Sequence, residues 1–428
     1  MRDARNIVIF SLSRLITELG TSIFRFALSL YILDLTGSAS MFALVLSFTY
    51  IPGIFVNIFA GVFVDRSKNK KRIMVVSDFL SGTSILMLML MFQFYHDSIW
   101  LFVVYAMIMS ALQALFTLTL NSSVPDIVAP ERVATVNSSN QSIGALISIL
   151  GPVIGAAAYI KFGLEQIFLI EGFAFILSAF LNMFLQFSKR QGQMEEHKPY
   201  LESVKEVYRY IQRRAAIKYL LAIFVVVNFV IAPAVSLILP FIVYQALDMT
   251  PQQLSYIEAA LAAGIIIGAI VVSVPSVNRF ITNKIFILIQ LQALMIILWM
   301  FPEWSIFDTS TKVMLMVGYM IVLSLTGVFT TMGNIPMLSY VQIHTPEQIR
   351  ASILGVVSTV TTIAVPVGML VYGALLEMMN WYYITVISGI GLLVVGFIAH
   401  RNRELREFFT LGSEAEPEPV RSFEAHEA

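Results

Sequence analysis

Seven polar residues share one face of the first apolar stretch: Ser11, Arg14, Glu18, Thr21, Ser22, Arg25 and Ser29. Wound as an α-helix, they fall within an arc of about 100°. No apolar residue enters that arc between Val8 and Tyr31, while Ser13, Thr17 and Gly20 lie off the stripe. A charged side chain at the centre of a bilayer costs roughly 2.5–3.5 kcal/mol. Three of them on one helix face need water, partners or a substrate. Two chemistries fit: static ion pairs inside a helix bundle, or a polar pathway through a membrane. Glu18 lies about 17 Å into the span by helical rise, close to the midplane, and is the best placed group to carry a proton or cation.

Three further charges fall inside apolar stretches: Asp78, Glu171 and Glu258. By depth Asp78 is level with Arg14, and Glu171 and Glu258 are level with Arg25. Matching levels predicts two static pairs, Arg14–Asp78 and Arg25–Glu171. Glu258 is the second candidate for the proton or substrate pathway, facing a cavity from the other half of the chain. The 32 Phe and 21 Met would suit a cavity for bulky apolar ligands, although most must face lipid or core.

The composition fits such a pathway. Of 428 residues, 58% are hydrophobic and 13% charged, far from a soluble domain. Net charge is zero, which gives no basic footprint for nucleic acid. The absence of cysteine excludes disulfides, thiolate metal sites and cysteine nucleophiles. The five histidines are scattered, so no metal centre is expected. No Walker-type phosphate loop and no Ser/His/Asp set stand out, so neither a cofactor nor an enzyme is expected. The first apolar stretch is too long for the core of a cleavable leader.

A bilayer core of about 30 Å takes about 20 helical residues. Twelve such segments are predicted: 7–33, 40–64, 73–95, 98–120, 138–161, 164–187, 217–244, 251–274, 280–301, 312–335, 348–376 and 381–400. With the N-terminus cytoplasmic, all of the 27 Lys and Arg except Arg14, Arg25, Lys161 and Lys312 fall on the cytoplasmic side. Both termini are then cytoplasmic. The division expected is residues 1–188 and 217–400 as two six-span halves, 189–216 as a cytoplasmic linker, and 401–428 as a disordered tail. Within the linker, Tyr200–Arg214 has Leu201, Val204, Val207, Tyr208 and Ile211 at helical spacing and reads as an interfacial amphipathic helix. A weak internal repeat links the halves: Pro130-Glu131 and Pro346-Glu347 open the fifth and eleventh segments, and Pro152 and Pro366 interrupt them.

The connection after the second segment reads Gly61, three residues, Asp65-Arg66, then Lys68, Lys70, Lys71 and Arg72. It resembles the signature loop of the major facilitator superfamily, departing where Lys68-Asn69 stands for the usual Gly-Arg. Asp65 is placed to cap the positive end of the eleventh helix when the cytoplasmic side closes, and the basic run to pair nearby carboxylates. In the fifth segment Gly144, Gly151-Pro152 and Gly155 resemble the Gly-Pro motif of the superfamily's drug–proton antiporters. With Ser148, those glycines make a small-residue face; Ala260, Gly264 and Gly268 make a matching face on the eighth, and the two are expected to meet. Phe24–Ser38, Val75–Gly82, Pro125–Ser139 and Ile149–Ala156 are similar to the macrolide-efflux and enterobactin-exporter-like subgroup. The resemblance implies an all-α integral membrane protein of the major facilitator fold, with twelve transmembrane helices in two pseudo-symmetric halves. It implies an exporter of amphiphilic or lipophilic small molecules, working by proton antiport as a monomer in the bacterial cytoplasmic membrane. The alternative is a facilitator or flippase of the same fold for a lysolipid, metabolite or siderophore.

Overall fold

The computed structural model describes residues 2–67, 69–95, 98–187, 209–282, 284–304, 311–343, 345 and 347–405. The side chains of the loop motif Gly61, Asp65 and Arg66, most of the amphipathic linker and the acidic tail lie outside the described residues.

Among the described residues the secondary structure is all helical, and ten helices are long and apolar enough to cross a membrane. One of them, Pro130–Met183, cannot be a single pass. At about 1.5 Å per residue it far exceeds a core of about 30 Å. It turns back at Gly163, whose φ of 71° is a left-handed conformation that glycine adopts without strain. Counting its two arms separately, and adding the shorter apolar helix Ile285–Leu298, the described residues supply twelve apolar segments. In order the spans are Arg2–Thr36, the broken pair Ala39–Phe48 and Ile51–Arg66, Lys70–Phe92, Ile99–Ile127, then 130–162 and 164–183. They continue with Ala215–Pro233, running on as π-helical turns to Ala246, then Pro251–Ser273, Ile285–Leu298, Lys312–Ile343, Glu347–Met378 and Trp381–Arg401.

Local chemistry sets several of these ends. The hydroxyl of Ser38 accepts from the Met41 N–H at the start of the second span. Thr250 and Gln253 form a reciprocal capping box ahead of Pro251 at the eighth. Asp248 adopts a φ of 48° in the turn before it. Its exposed carboxylate is held below the ordinary range by the Lys312 ammonium at 2.7 Å.

Helix pairings recur between the halves. The first span packs on the fifth and sixth, the second on the fourth, and the third on the fourth and sixth. The seventh packs on the eleventh, the eighth on the tenth, and the ninth on the tenth and twelfth. One detail is repeated at residue level. A side chain on Gly53 would run into Ser110 of the fourth span, and one on Gly264 into Ser324 of the tenth. Across the halves, the second span packs on the eleventh and the fifth on the eighth, which is the same contact seen twice under a six-span repeat.

The cores show where the molecule is shut. One continuous apolar cluster joins both halves, from Phe24, Leu30 and Ala43 to Leu237, Ile242, Tyr319 and Trp381. It lies at the end away from the termini, called the distal end below. Toward the termini the two halves have separate cores, one around Phe10, Met74 and Ile127, the other around Leu220, Ile289 and Val341. Polar contacts reinforce the distal seal. Asp34 accepts from Tyr159 at 3.0 Å in its own half and from Tyr244 at 2.8 Å in the other. Glu377 accepts from the hydroxyl of Ser38 and, at 3.3 Å, from the N–H of Ser40. Ser47 donates to the Pro366 carbonyl at 3.2 Å.

Candidate functional site

A cavity of about 510 Å³ opens between the first, fourth and fifth spans. The stripe on the first span forms one wall with Arg14, Glu18, Thr21, Ser22 and Arg25, joined by Thr17. Gln113, Thr117 and Asn121 face it from the fourth span, and Gly144, Ile147 and Ser148 from the fifth. The ends of the stripe are used structurally: Ser11 bonds Ser139 at 3.3 Å, and Ser29 bonds the Phe26 carbonyl at 2.7 Å. The fourth-span residues were legible in the sequence as a polar i, i+4, i+8 row, but they carry no charge to draw attention. The cavity departs from the sequence expectation in composition. Among the described residues Phe116 is its single aromatic lining residue, and no Met lines it.

The predicted ion pairs do not form. Arg14 forms an ion pair with Glu18 on its own helix, Nε 2.7 Å from Oε1 but out of line for a hydrogen bond, with side chains 21% and 37% exposed. Asp78 is buried behind the first span and accepts from Ser178 at 2.6 Å and Asn182 at 2.9 Å, with Ser178 also bonded to Ser13 at 2.6 Å. Ser13 precedes Arg14 by one residue, a rotation of about 100°. That rotation turns Ser13 toward Ser178, the residue that bonds Asp78, and Arg14 toward the cavity. Depth alone could not separate these two directions. Arg25 makes no ion pair within 4 Å among the described residues, so the Arg25–Glu171 contact is also absent. The Arg25 guanidinium instead lies within electrostatic reach of both Glu171 of the sixth span and Glu258 of the eighth, bonded to neither. The basic run after the second span behaves as expected in one residue: Lys70 pairs with Asp126 at 3.0 Å and donates to the Ser122 carbonyl.

The small-residue faces meet other partners than those predicted. Gly151 lies against Ser22, and Gly155 against Ile23 and Phe26, all on the first span. Gly264 and Gly268 lie against Ser324, Val328 and Thr331 of the tenth. The fifth and eighth spans do touch, but their glycines serve close packing within each half. Gly144, on the same face as Gly151 about two turns nearer the termini, has nothing within 4 Å of where a Cβ would stand. The fifth span is therefore packed above and open below, and that gap is part of the cavity. Pro152 is buried inside its helix, as Pro366 is in the eleventh.

A sequence profile of the Major Facilitator Superfamily matches residues 10–365. Macrolide efflux protein A of Streptococcus pyogenes is 22% identical over 251 residues, spanning 58% of this chain and 62% of the relative. Multidrug efflux pump Tap of Mycobacterium tuberculosis is 25% identical over 389 residues, 88% of each chain. Among solved structures, a bacterial homologue of the iron transporter ferroportin in an inward-facing state superposes with a TM-score of 0.72 at 14% identity, covering 92% of this chain and 98% of the other. That likeness speaks for the fold alone.

Proposed function

The chain belongs to the Major Facilitator Superfamily, and on that premise we propose that it exports amphiphilic or lipophilic small molecules by proton antiport. The observation that carries the reading is a polar, charged cavity open toward the termini and shut at the distal end. With the termini in the cytoplasm of a bacterium, that cavity faces the compartment from which an exporter loads. Relatives named for macrolide and multidrug efflux support the direction of transport. Arg14 and Glu18 contact the substrate, and Arg25 and Glu258 stand at the closed end of its path. Alternating access rocks the two six-span halves, with Asp65 capping the eleventh helix once the cytoplasmic side closes. The protein works as a monomer.

One observation favours the alternative of a lysolipid, metabolite or siderophore facilitator: two arginines in the cavity suit an anionic head group. Purified protein in proteoliposomes separates the readings. An imposed proton gradient is expected to drive accumulation of a macrolide or a lipophilic dye against its own gradient. Equal fluxes with and without the gradient would leave a facilitator.

Orientation has its own test. A reporter fused after Arg72 is expected in the cytoplasm and one inserted at Asp248 outside; the reverse pattern overturns the assignment from Lys and Arg.

Glu18→Gln is expected to leave folding intact. The Arg14–Glu18 pair is partly exposed in a water-accessible cavity, so it contributes only about 0.2–1 kcal/mol. Thermal unfolding should shift little while substrate affinity changes. A protein that no longer folds would show that the pair is a structural bond.

A further inference from the structure

Glu171 is a fully buried carboxyl group on the sixth span. It is 1% exposed, and neither carboxylate oxygen makes a hydrogen bond of ordinary geometry, the Thr21 hydroxyl being the donor beside it. The hydroxyl of Tyr105, also buried without a partner, lies within its electrostatic reach. Thr21 and Arg25 are the other polar groups around it. The third span packs on the sixth, but its buried charge, Asp78, is already bonded to Ser178 and Asn182. Glu258 enters from the other half, with Arg25 as its charged neighbour. The fifth and tenth spans, packed against the eighth, bring no charge between their ends. Glu171 and Glu258 each stand seven residues past the distal start of their spans, Leu164 and Pro251, and so at one depth.

We propose that Glu171 and Glu258 share Arg25 as their single counter-charge, and that the transported proton resides on Glu171. The inference rests on the antiport reading above and places its proton on this cross-half group rather than on Glu18, the carrier expected from the sequence. One guanidinium cannot neutralise two carboxylates, and an ionised carboxylate left buried without partners is strongly disfavoured. With Glu171 protonated, Arg25 is free to attract Glu258 across the seam, and the distal end stays shut. When Glu171 loses its proton toward the cavity that Arg25 lines, Arg25 is taken up within its own half. Glu258 then loses its counter-charge, and the seam weakens until distal water reaches it. A proton arriving from that side restores the closed arrangement. Arg25 and Glu171 ride on one half and Glu258 on the other, so rocking changes the second distance and preserves the first.

The native chain has no cysteine, so Ser47→Cys places one thiol at the buried crossing of the second and eleventh spans as a reporter of distal opening. Its maleimide labelling in lipid nanodiscs, normalised to the unfolded protein at each pH, is expected to rise about threefold or more as pH rises. Added Glu171→Gln, which mimics the protonated acid, should hold labelling low and flat with pH. Added Glu258→Gln should make it high and flat, and Glu18→Gln should keep the slope. Both Gln variants keeping the parent slope would overturn the proposal. A second readout needs no variant: an apolar carbodiimide, which reacts with protonated carboxyls, should modify Glu171 and do so less as pH rises. No modification of Glu171 at any pH would also overturn it. A parent with the labelling slope that moves no substrate on a proton gradient would support the shared pair and overturn the export reading instead.

Discussion

Gly264→Leu is expected to yield almost no folded protein. A Cβ at Gly264 would overlap the carbonyl oxygen of Ser324, and one at Gly327 would overlap the carbonyl of Leu261, so the eighth and tenth spans cross backbone to backbone. Overpacking a core normally costs about 1–3 kcal/mol, because side chains can shift. Here the obstacle is main chain held by helical hydrogen bonds, and the cost lies beyond that range. Even Gly264→Ala should lower the unfolding temperature. Gly391→Leu is the control: nothing stands within 4 Å of its Cβ position, and the substitution should be tolerated. Monodisperse yield after detergent extraction and thermal unfolding measure all three. The small-residue face read from sequence predicts another result, a well-inserted protein that cannot transport because the fifth and eighth spans are pushed apart. Normal yield of Gly264→Leu with lost transport would favour that seam over the crossing with Ser324.

The contrast shows which physics the sequence carries. Hydropathy over about 20 residues and a stripe at 100° per residue are properties of one helix in its own frame, so the spans and the polar face of the first could be read directly. Pro152 and Pro366 were likewise local. A small-residue face says that some helix comes close, but not which one, because that depends on the azimuth of every neighbour. The same limit misassigned Arg14 to Asp78. Depth follows from counting residues, whereas the partner follows from rotation, and it is Ser13 rather than Arg14 that reaches that carboxylate, through the hydroxyl of Ser178. The cavity's composition failed for a related reason. Phe and Met are abundant in the chain, but the wall belongs to the stripe of the first span and the uncharged row Gln113, Thr117 and Asn121. Glu171 was placed at the right depth beside Arg25, yet the sharing of Arg25 with Glu258 could not be seen from either half alone.

Gly144→Phe should abolish transport while leaving the protein folded. Gly144 lines the cavity, and its Cβ position meets nothing within 4 Å. The added ring points into open space, so no packed neighbour must move. Replacing glycine by phenylalanine inside a helix also recovers roughly a few tenths of a kcal/mol of propensity, since Phe stands between Ala and Gly on that scale. Stability should therefore be unchanged or slightly raised. Function should suffer twice. The ring occupies volume between Arg14, Glu18 and Asn121 that a substrate would use, and it stands where the fifth span must approach its neighbours when the termini side closes. A tenfold loss of affinity corresponds to about 1.4 kcal/mol, which an aromatic ring in the binding volume readily exceeds. Gly144→Ala separates the two effects, since a methyl group fills little of the cavity and substrate binding should survive it. Gly151→Phe, two turns along the same face, should instead fail to fold, because Ser22 already fills that space. Substrate binding by thermal shift and flux in proteoliposomes read the outcome. Full transport by a stable Gly144→Phe protein would mean that substrates pass elsewhere, and the cavity between the first, fourth and fifth spans would lose its assignment.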